Sequence, residues 1–395
     1  MTRDEPVRPE PHQFVPLWRR PLLAGVISPF VLSRVALLLI GWLSEYICPL
    51  SAFLPAETGR LYSTHRLLDI WGRWDTGWYM SIVTNGYRAS DNLATVQSNV
   101  AFFPLYPYLV RLGLLLIPNR LESSGVILFT GVVISNLCFL FALTLIYRLV
   151  AHLGYGERTA RRAVLYLTIF PVSFIFSSFY TESVFLVLAA LVFYLLEKRR
   201  WQAACCVVGL ASAARLPGIL LAAPLAWAYM ERLKWRIRDI RSSCLWLLVT
   251  PVGLLAFMAR LYRLSGDPLA FIHNHAAWQR HFAPPWGFVV HVVNYPSIVD
   301  ALNVAISLGF LVLAMLVLLT PRLRLYGIFS LLNLSSFLFS GTPMSAMRFC
   351  MVTFPAFVIL AELGESVVIH TVITVGSIAL LGVLMVMWSQ GYWVV

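Results

Sequence analysis

Residues Ser123–Val150 read SSGVILFTGVVISNLCFLFALTLIYRLV, 28 positions that carry one charge, Arg148. A helix rises about 1.5 Å per residue, so this stretch exceeds the ~30 Å of a bilayer's hydrocarbon. Working outward, runs of similar character recur at Pro21–Leu43, Cys244–Leu264, Ile298–Thr320 and Val367–Trp388. Shorter apolar runs are Ala163–Ser178, Ser183–Leu196, Ala203–Ala214, Gly218–Met230, Leu325–Ser340 and Phe349–Leu363. As helices these reach only about 18–24 Å, and alone each reads equally as re-entrant or interfacial. Of 395 residues 59% are hydrophobic and 12% charged, where a soluble domain carries about 25% charged residues. That balance excludes a soluble enzyme, a disordered chain and a nucleic-acid partner, and predicts an all-α polytopic membrane protein.

The net charge of +12 divides unevenly along the chain. Basic clusters occur at Arg3/Arg8/Arg19/Arg20, Arg148/Arg158/Arg161/Arg162, Lys198/Arg199/Arg200, Arg232/Lys234/Arg236/Arg238/Arg241 and Arg322/Arg324, together 18 of the 30 Lys and Arg. If all five face the cytoplasm, an even number of crossings separates neighbouring clusters. The short runs then cross in pairs, 163–178 with 183–196 and 203–214 with 218–230. The expectation is about eleven spans, with a cytoplasmic tail over 1–20 and a single transmembrane domain over 21–395. Inner segments carry +9 of the +12, and the acidic loop Glu362–Glu365 is the exception. Three segments fall outside: Ser44–Glu122, Ser265–Ser297 and Gly341–Arg348. Within the first, Phe102–Ile117 is expected to be a juxtamembrane or re-entrant helix. The first apolar run exceeds the 7–15 residue core of a secretory signal and no A-x-A site follows, so it reads as a retained span. The six cysteines form no CxxC pair and read as small core residues.

In so apolar a chain, charges inside or at the ends of spans need a reason. Arg34 lies mid-span. Glu182 and Arg215 sit at the outer turns of the two short pairs, and Arg348 opens the span after the third outer segment. Each reads either as an ion pair or snorkelling side chain, or as a group for an anionic ligand, since the guanidinium fork suits phosphate. In the first outer segment, Ile70-Trp71-Gly72-Arg73-Trp74-Asp75-Thr76-Gly77-Trp78-Tyr79 packs aromatic rings around one carboxylate. Asn85-Gly86-Tyr87 and Ala101-Phe102-Phe103-Pro104-Leu105-Tyr106-Pro107 follow. An interfacial belt accounts for the rings but not for Asp75. That carboxylate is either a general base facing an acceptor hydroxyl or the N-cap of an interfacial helix. The second outer segment holds His273-x-His275, Trp278 and Arg280. With no third ligand at a helical spacing, the histidines read as polar loop residues rather than a metal site. No HExxH, Walker A or dinucleotide fingerprint occurs.

On these residues the chain resembles the GPI mannosyltransferase II (PIG-V) family of GT-C membrane glycosyltransferases, and among them a bacterial relative. The likeness covers roughly residues 20–360. Its blocks are Trp74-Asp75-x-x-Trp78-Tyr79 with Gly86-Tyr87; Phe102-Phe103-Pro104-x-Tyr106-Pro107; Phe170-Pro171-x-Ser173-x-x-Phe176 leading to Tyr180-Thr181-Glu182-Ser183; Ala214-Arg215-Leu216-Pro217-Gly218; and Arg348 before Phe354-Pro355. The resemblance implies transfer of a sugar, mannose first, from a polyprenyl-phosphate carrier to a hydroxyl of a glycan, glycolipid or protein on the extracytoplasmic side. It implies Asp75 as the catalytic base. Arg215 and Arg348 then become the candidates for the donor phosphate. Arg73, Trp74, Trp78, Tyr79, Tyr87, Phe103, Tyr106, Glu182, His273 and Trp278 are the candidates for substrate contact. No cofactor is expected, and arginines alone can stabilise a monophosphate leaving group, so no metal is required. The membrane is a bacterial plasma membrane, or the endoplasmic reticulum in a eukaryote. The alternatives are a transporter or flippase for a lipid-linked sugar or other anion, and a non-catalytic subunit of a glycosylation complex.

Overall fold

The structure, a computed structural model, describes residues 22–117 and 123–394; the basic cluster at Arg3–Arg20 and the tail over 1–20 lie outside them. Every regular element described is helical. The main helices are α1 (Leu23–Ile47), α2 (Thr76–Asn85), α3 (Leu105–Leu114), α4 (Ser124–His152), α5 (Gly156–Thr168), α6 (Glu182–Glu197), α7 (Trp201–Ser212), α8 (Ala222–Arg232), α9 (Val252–Ser265), α10 (Ile298–Leu319), α11 (Arg324–Leu338), α12 (Ala346–Met351), α13 (Pro355–Leu363) and α14 (Val367–Ser389).

Four helices, α1, α4, α10 and α14, are long and apolar enough to cross a membrane. The run Cys244–Leu264, expected as one span, is instead a 3-10 segment, Ser242–Val249, joined to α9 at a 42° bend. The break falls at Thr250-Pro251, where proline removes an N–H donor and with it a helical hydrogen bond. Counting that bent pair gives five candidate spans. The short runs fold as helices of nine to sixteen residues (α5–α8, α11, α13), interrupted where prolines 171, 217 and 355 fall. Apolar side chains face outward along the long helices: Val367, Val368, Val372 and Val375 on α14 are each more than 60% exposed. Patches of that kind are rare on soluble monomers and natural against lipid. The chain is a multi-pass membrane protein.

Helix α4 packs along α6, α10 along α11, and α1 along α14. The interior is aromatic, with Phe139 stacked on Phe176 at 4.4 Å. Arg34 is buried there and is neither snorkelling nor aimed at a ligand. Its guanidinium donates to the carbonyls of Ser173 (2.9 Å) and Thr168 (3.1 Å) and to the hydroxyls of Ser177 and Ser173. Helix α5 ends at Thr168, ahead of Pro171, and the Thr168 carbonyl takes its hydrogen bonds from side chains, the Ser173 hydroxyl at 2.6 Å and Arg34. Irregular backbone at membrane depth survives only where protein groups satisfy it, and Arg34 does so. The ligand-binding alternative for Arg34 is corrected accordingly.

Helix α3 is ten residues, about 15 Å, which is half of a crossing. It buries Tyr106, Val110 and Leu114 and exposes Leu112, and Leu115 and Leu116 in the turn after it are exposed as well. The acidic exception is also accounted for. Glu365 pairs with Arg162 at 3.2 Å, and Glu362 accepts from Thr159. Those acids lie against the second basic cluster rather than defying it. All six cysteines are free.

Candidate active site

Asp75 holds the N-cap position of α2, yet its side chain caps nothing. Its carboxylate instead accepts a hydrogen bond from Arg348 Nη1 at 2.6 Å. This decides against the helix-cap alternative. Trp74, immediately before it, has φ = 49°, a left-handed conformation unusual for a bulky residue. Three contacts hold it there: stacking on Phe53 at 4.0 Å, an edge contact to Trp393 at 4.8 Å, and an indole hydrogen bond to the Tyr392 carbonyl. The Asp75 N–H donates to the Tyr180 hydroxyl, which donates in turn to the Arg73 carbonyl. The backbone around the carboxylate is therefore fixed from both sides.

Arg348 bridges two acids. Its Nε lies 3.1 Å from Glu182 Oε1, and the same oxygen is 2.6 Å from Arg215 Nη1. All four side chains are buried, yet 273 residues separate Asp75 from Arg348. Glu182 and Arg215 are each delivered by a break between helices. Glu182 starts α6 after the turn that follows Pro171. Arg215 lies in the turn after α7, where a Cβ at Gly218 would strike the Ala211 carbonyl. Only glycine allows the chain to fold back this tightly. Leu105 N–H donates to the Ala213 carbonyl and locks the Phe-Phe-Pro block to the same turn.

These groups line a cavity of about 150 Å³. Its wall draws on all three segments placed outside by the charge pattern: Asp75, Tyr79 and Phe103; His275, Trp278 and Arg280; Met344, Ser345 and Arg348. The turns carrying Glu182 and Arg215 complete it, together with Trp393 from beyond α14.

Other expected contacts lie elsewhere. Arg73 is buried away from the cavity, paired with Asp69 at 2.8 Å and donating to the Ser389 carbonyl at 2.9 Å. It is a strut between the first outer segment and α14. Asp69 accepts the N–H groups of Leu61, Tyr62 and Ser63. Tyr87 donates to the Phe102 carbonyl, and Tyr106 bonds Ser135; both support the wall from behind. Trp74 and Trp78 are one layer back, Trp78 lying 5.8 Å from Trp278. His273 is exposed and bound to Asp267 at 2.6 Å, while His275 faces the cavity. The His-x-His pair therefore diverges, and among the described residues no three potential metal ligands converge.

Arg280 was not singled out by the sequence. Its Nη2 donates to the Met344 carbonyl, and among the described residues it has no carboxylate partner. Its guanidinium lies 5.3 Å from the Phe349 ring, which Arg215 and Arg348 also approach, at 4.9 and 5.4 Å. Three cations therefore share one aromatic ring against two carboxylates, leaving the cavity one positive charge in excess. Burial, and then Arg348, lowers Arg280 to a pKa of about 10, so it stays charged at neutral pH. Burial, and then Arg280, pulls His275 down to about 4, so it is neutral there. Glu182 Oε2 is a buried acceptor without a hydrogen-bond partner, and Arg215 Nη1 and Arg348 Nε meet Glu182 Oε1 as ion pairs without hydrogen-bond geometry.

Comparison with known proteins adds three findings. A family model described as mannosyltransferase (PIG-V) matches residues 30–259. A search of curated proteins gives no match. Among solved structures, ArnT from Cupriavidus metallidurans bound to undecaprenyl phosphate is similar at a TM-score of 0.50 and 14% identity, over 92% of this chain and 76% of that one. The Archaeoglobus fulgidus oligosaccharyltransferase tethered to an acceptor peptide aligns at a TM-score of 0.47 and 11% identity, over 95% of this chain and 56% of that one. The likeness to ArnT is one of fold.

Proposed function

The chain belongs to the mannosyltransferase (PIG-V) family, and from that premise we propose that it moves mannose from a polyprenyl-phosphate carrier to an acceptor hydroxyl on the extracytoplasmic face. The observation that carries this is the Asp75–Arg348–Glu182–Arg215 array around one cavity. The ArnT structure holds undecaprenyl phosphate, which supports a lipid-phosphate donor here. Convergence of every outer-assigned segment on the cavity supports the eleven-span topology, with the short helices crossing in pairs.

In the reaction Asp75 takes the proton of the acceptor hydroxyl while that oxygen attacks the anomeric carbon. The bond from that carbon to the phosphate oxygen breaks, and its electron pair leaves with the lipid phosphate. Direct displacement inverts the anomeric centre. Arg348 and Arg215 meet the charge growing on the leaving group in a buried setting, where fixed donors act most strongly. Arg280 joins them as the one cation there without a carboxylate partner among the described residues. Glu182 holds Arg215 and Arg348 in position for the donor phosphate. Asp75 Oδ2 is engaged by Arg348, so the proton goes to Oδ1.

Purified protein given polyprenyl-phosphate-mannose and candidate acceptors should release the lipid phosphate, and Asp75→Asn should lower release about 10²–10⁴-fold in a folded protein. Full release by that variant would remove Asp75 from the mechanism. Binding of the donor without release, across all acceptors, would favour a carrier role.

A further inference from the structure

A second cavity, of about 690 Å³, lies at the far end of the α6–α7 pair. Helix α6 starts with Glu182 in the first cavity and ends beside Leu196 and Arg199 in the second. Helix α7 starts with Trp201 in the second and runs to the turn of Arg215 in the first. Their 16 and 12 residues separate the two sites by about 18–24 Å. The cavities therefore face opposite sides of the helical layer, and the second is on the side of the basic clusters.

Its charged lining is Arg199, Arg200 and Arg232, with no carboxylate. Of the acids on the same segments, Glu197 is occupied by the Tyr326 hydroxyl at 3.0 Å, and neither Glu231 nor Asp239 lines the space. One wall is aromatic, with Trp201 and Tyr229 rings 5.2 Å apart. It is also braced: Trp201 donates to the Ser243 carbonyl, and Tyr229 exchanges hydrogen bonds with the backbone of Arg241. Exposed apolar side chains lie along the adjoining segments, among them Trp235, Ile237, Leu245 and Leu248.

We propose that this second cavity binds a phosphate group, and specifically the headgroup of an anionic phospholipid of the cytoplasmic leaflet. Three guanidiniums without acids suit a phosphodiester. The apolar rim suits the acyl chains attached to it, and basic pockets on this side of membrane proteins take such headgroups. The site is separate from the transfer chemistry and does not rest on it.

The test uses full-length protein stripped of lipid in detergent. Retained adducts are counted by native mass spectrometry after titration with phosphatidylglycerol or phosphatidylcholine, with and without inorganic phosphate. Phosphatidylglycerol should bind at least tenfold tighter, weakening about fivefold for each of Arg199→Gln, Arg200→Gln and Arg232→Gln. Ala203→Glu, at an exposed lining position, should abolish the preference while leaving thermal unfolding unchanged. Inorganic phosphate that displaces the lipid at millimolar levels would overturn the headgroup and assign the site to a free anion. Equal retention of the two lipids, or a preference surviving Ala203→Glu, would overturn the site altogether.

Discussion

Arg348 is the residue whose removal tests the site most sharply, because two buried carboxylates depend on it. In Arg348→Gln, Glu182 keeps Arg215 at 2.6 Å, but Asp75 loses its partner in the ion-pair network. Leaving a buried charge unpaired costs roughly 3–5 kcal/mol, so the variant should unfold at clearly lower temperature. Asp75→Asn removes the orphaned charge at its source, and Arg348 still reaches Glu182 at 3.1 Å. It should cost only about 1 kcal/mol, the order of one hydrogen bond, while lowering transfer about 10²–10⁴-fold through loss of the base. The double variant should then be more stable than Arg348→Gln alone by about 1–3 kcal/mol. The assay pairs denaturant or thermal unfolding in detergent with release of lipid phosphate. Strict additivity of the two stability changes would refute the coupling, whatever happened to activity.

Other outcomes follow from the same geometry. Arg280→Gln should lower kcat/KM for the donor about tenfold, with a smaller effect on the acceptor, as loss of one charge-assisted bond requires; equal effects on both substrates would separate Arg280 from the phosphate. Gly218→Ala should destabilise the protein by about 1–3 kcal/mol through overpacking against the Ala211 carbonyl, and unchanged unfolding would mean that the turn relaxes. Arg34→Met should destabilise by about 2–4 kcal/mol by removing its buried bonds to the Ser173 and Thr168 carbonyls, the latter keeping only the Ser173 hydroxyl, with KM for both substrates unchanged in the folded fraction. His275 binds its proton with a pKa of about 4 when folded, against 6.5 for the free side chain. The folded state holds fewer protons between those values, so stability falls as pH drops from about 6.5 towards 4. His275→Gln should flatten the stability profile in that window, and an unaltered profile would show that His275 is open to solvent.

Much of the site could be read before the fold because charge is so scarce in this chain. Asp75, Glu182, Arg215 and Arg348 were conspicuous as costs against an apolar background, and all four line one cavity. Arg280 was missed because it lies in a polar segment, where one arginine carries no such cost; only its unpaired state in the structure distinguishes it. Arg73 misled for the opposite reason. It stands two residues from Asp75 in sequence, but Asp69 one helical turn earlier holds it. The long helices followed hydrophobic run length closely. The break at Thr250–Pro251 did not, since hydropathy is blind to the missing N–H of proline.

The end of α14 has a consequence for how the enzyme is made. Arg73 bonds Ser389 across 316 positions, Trp388 donates to the Ile70 carbonyl, and Trp393 closes the cavity wall. The cavity therefore cannot be complete until α14 and the residues that follow it have been made. Asp75 emerges early and waits for α14 before its surroundings are finished. A nascent or C-terminally clipped chain would hold its acids and arginines yet lack the strut and the final wall. Sugar transfer would thus begin only after α14 has inserted, and a fragment ending with the family-matched region at residue 259 should be inert.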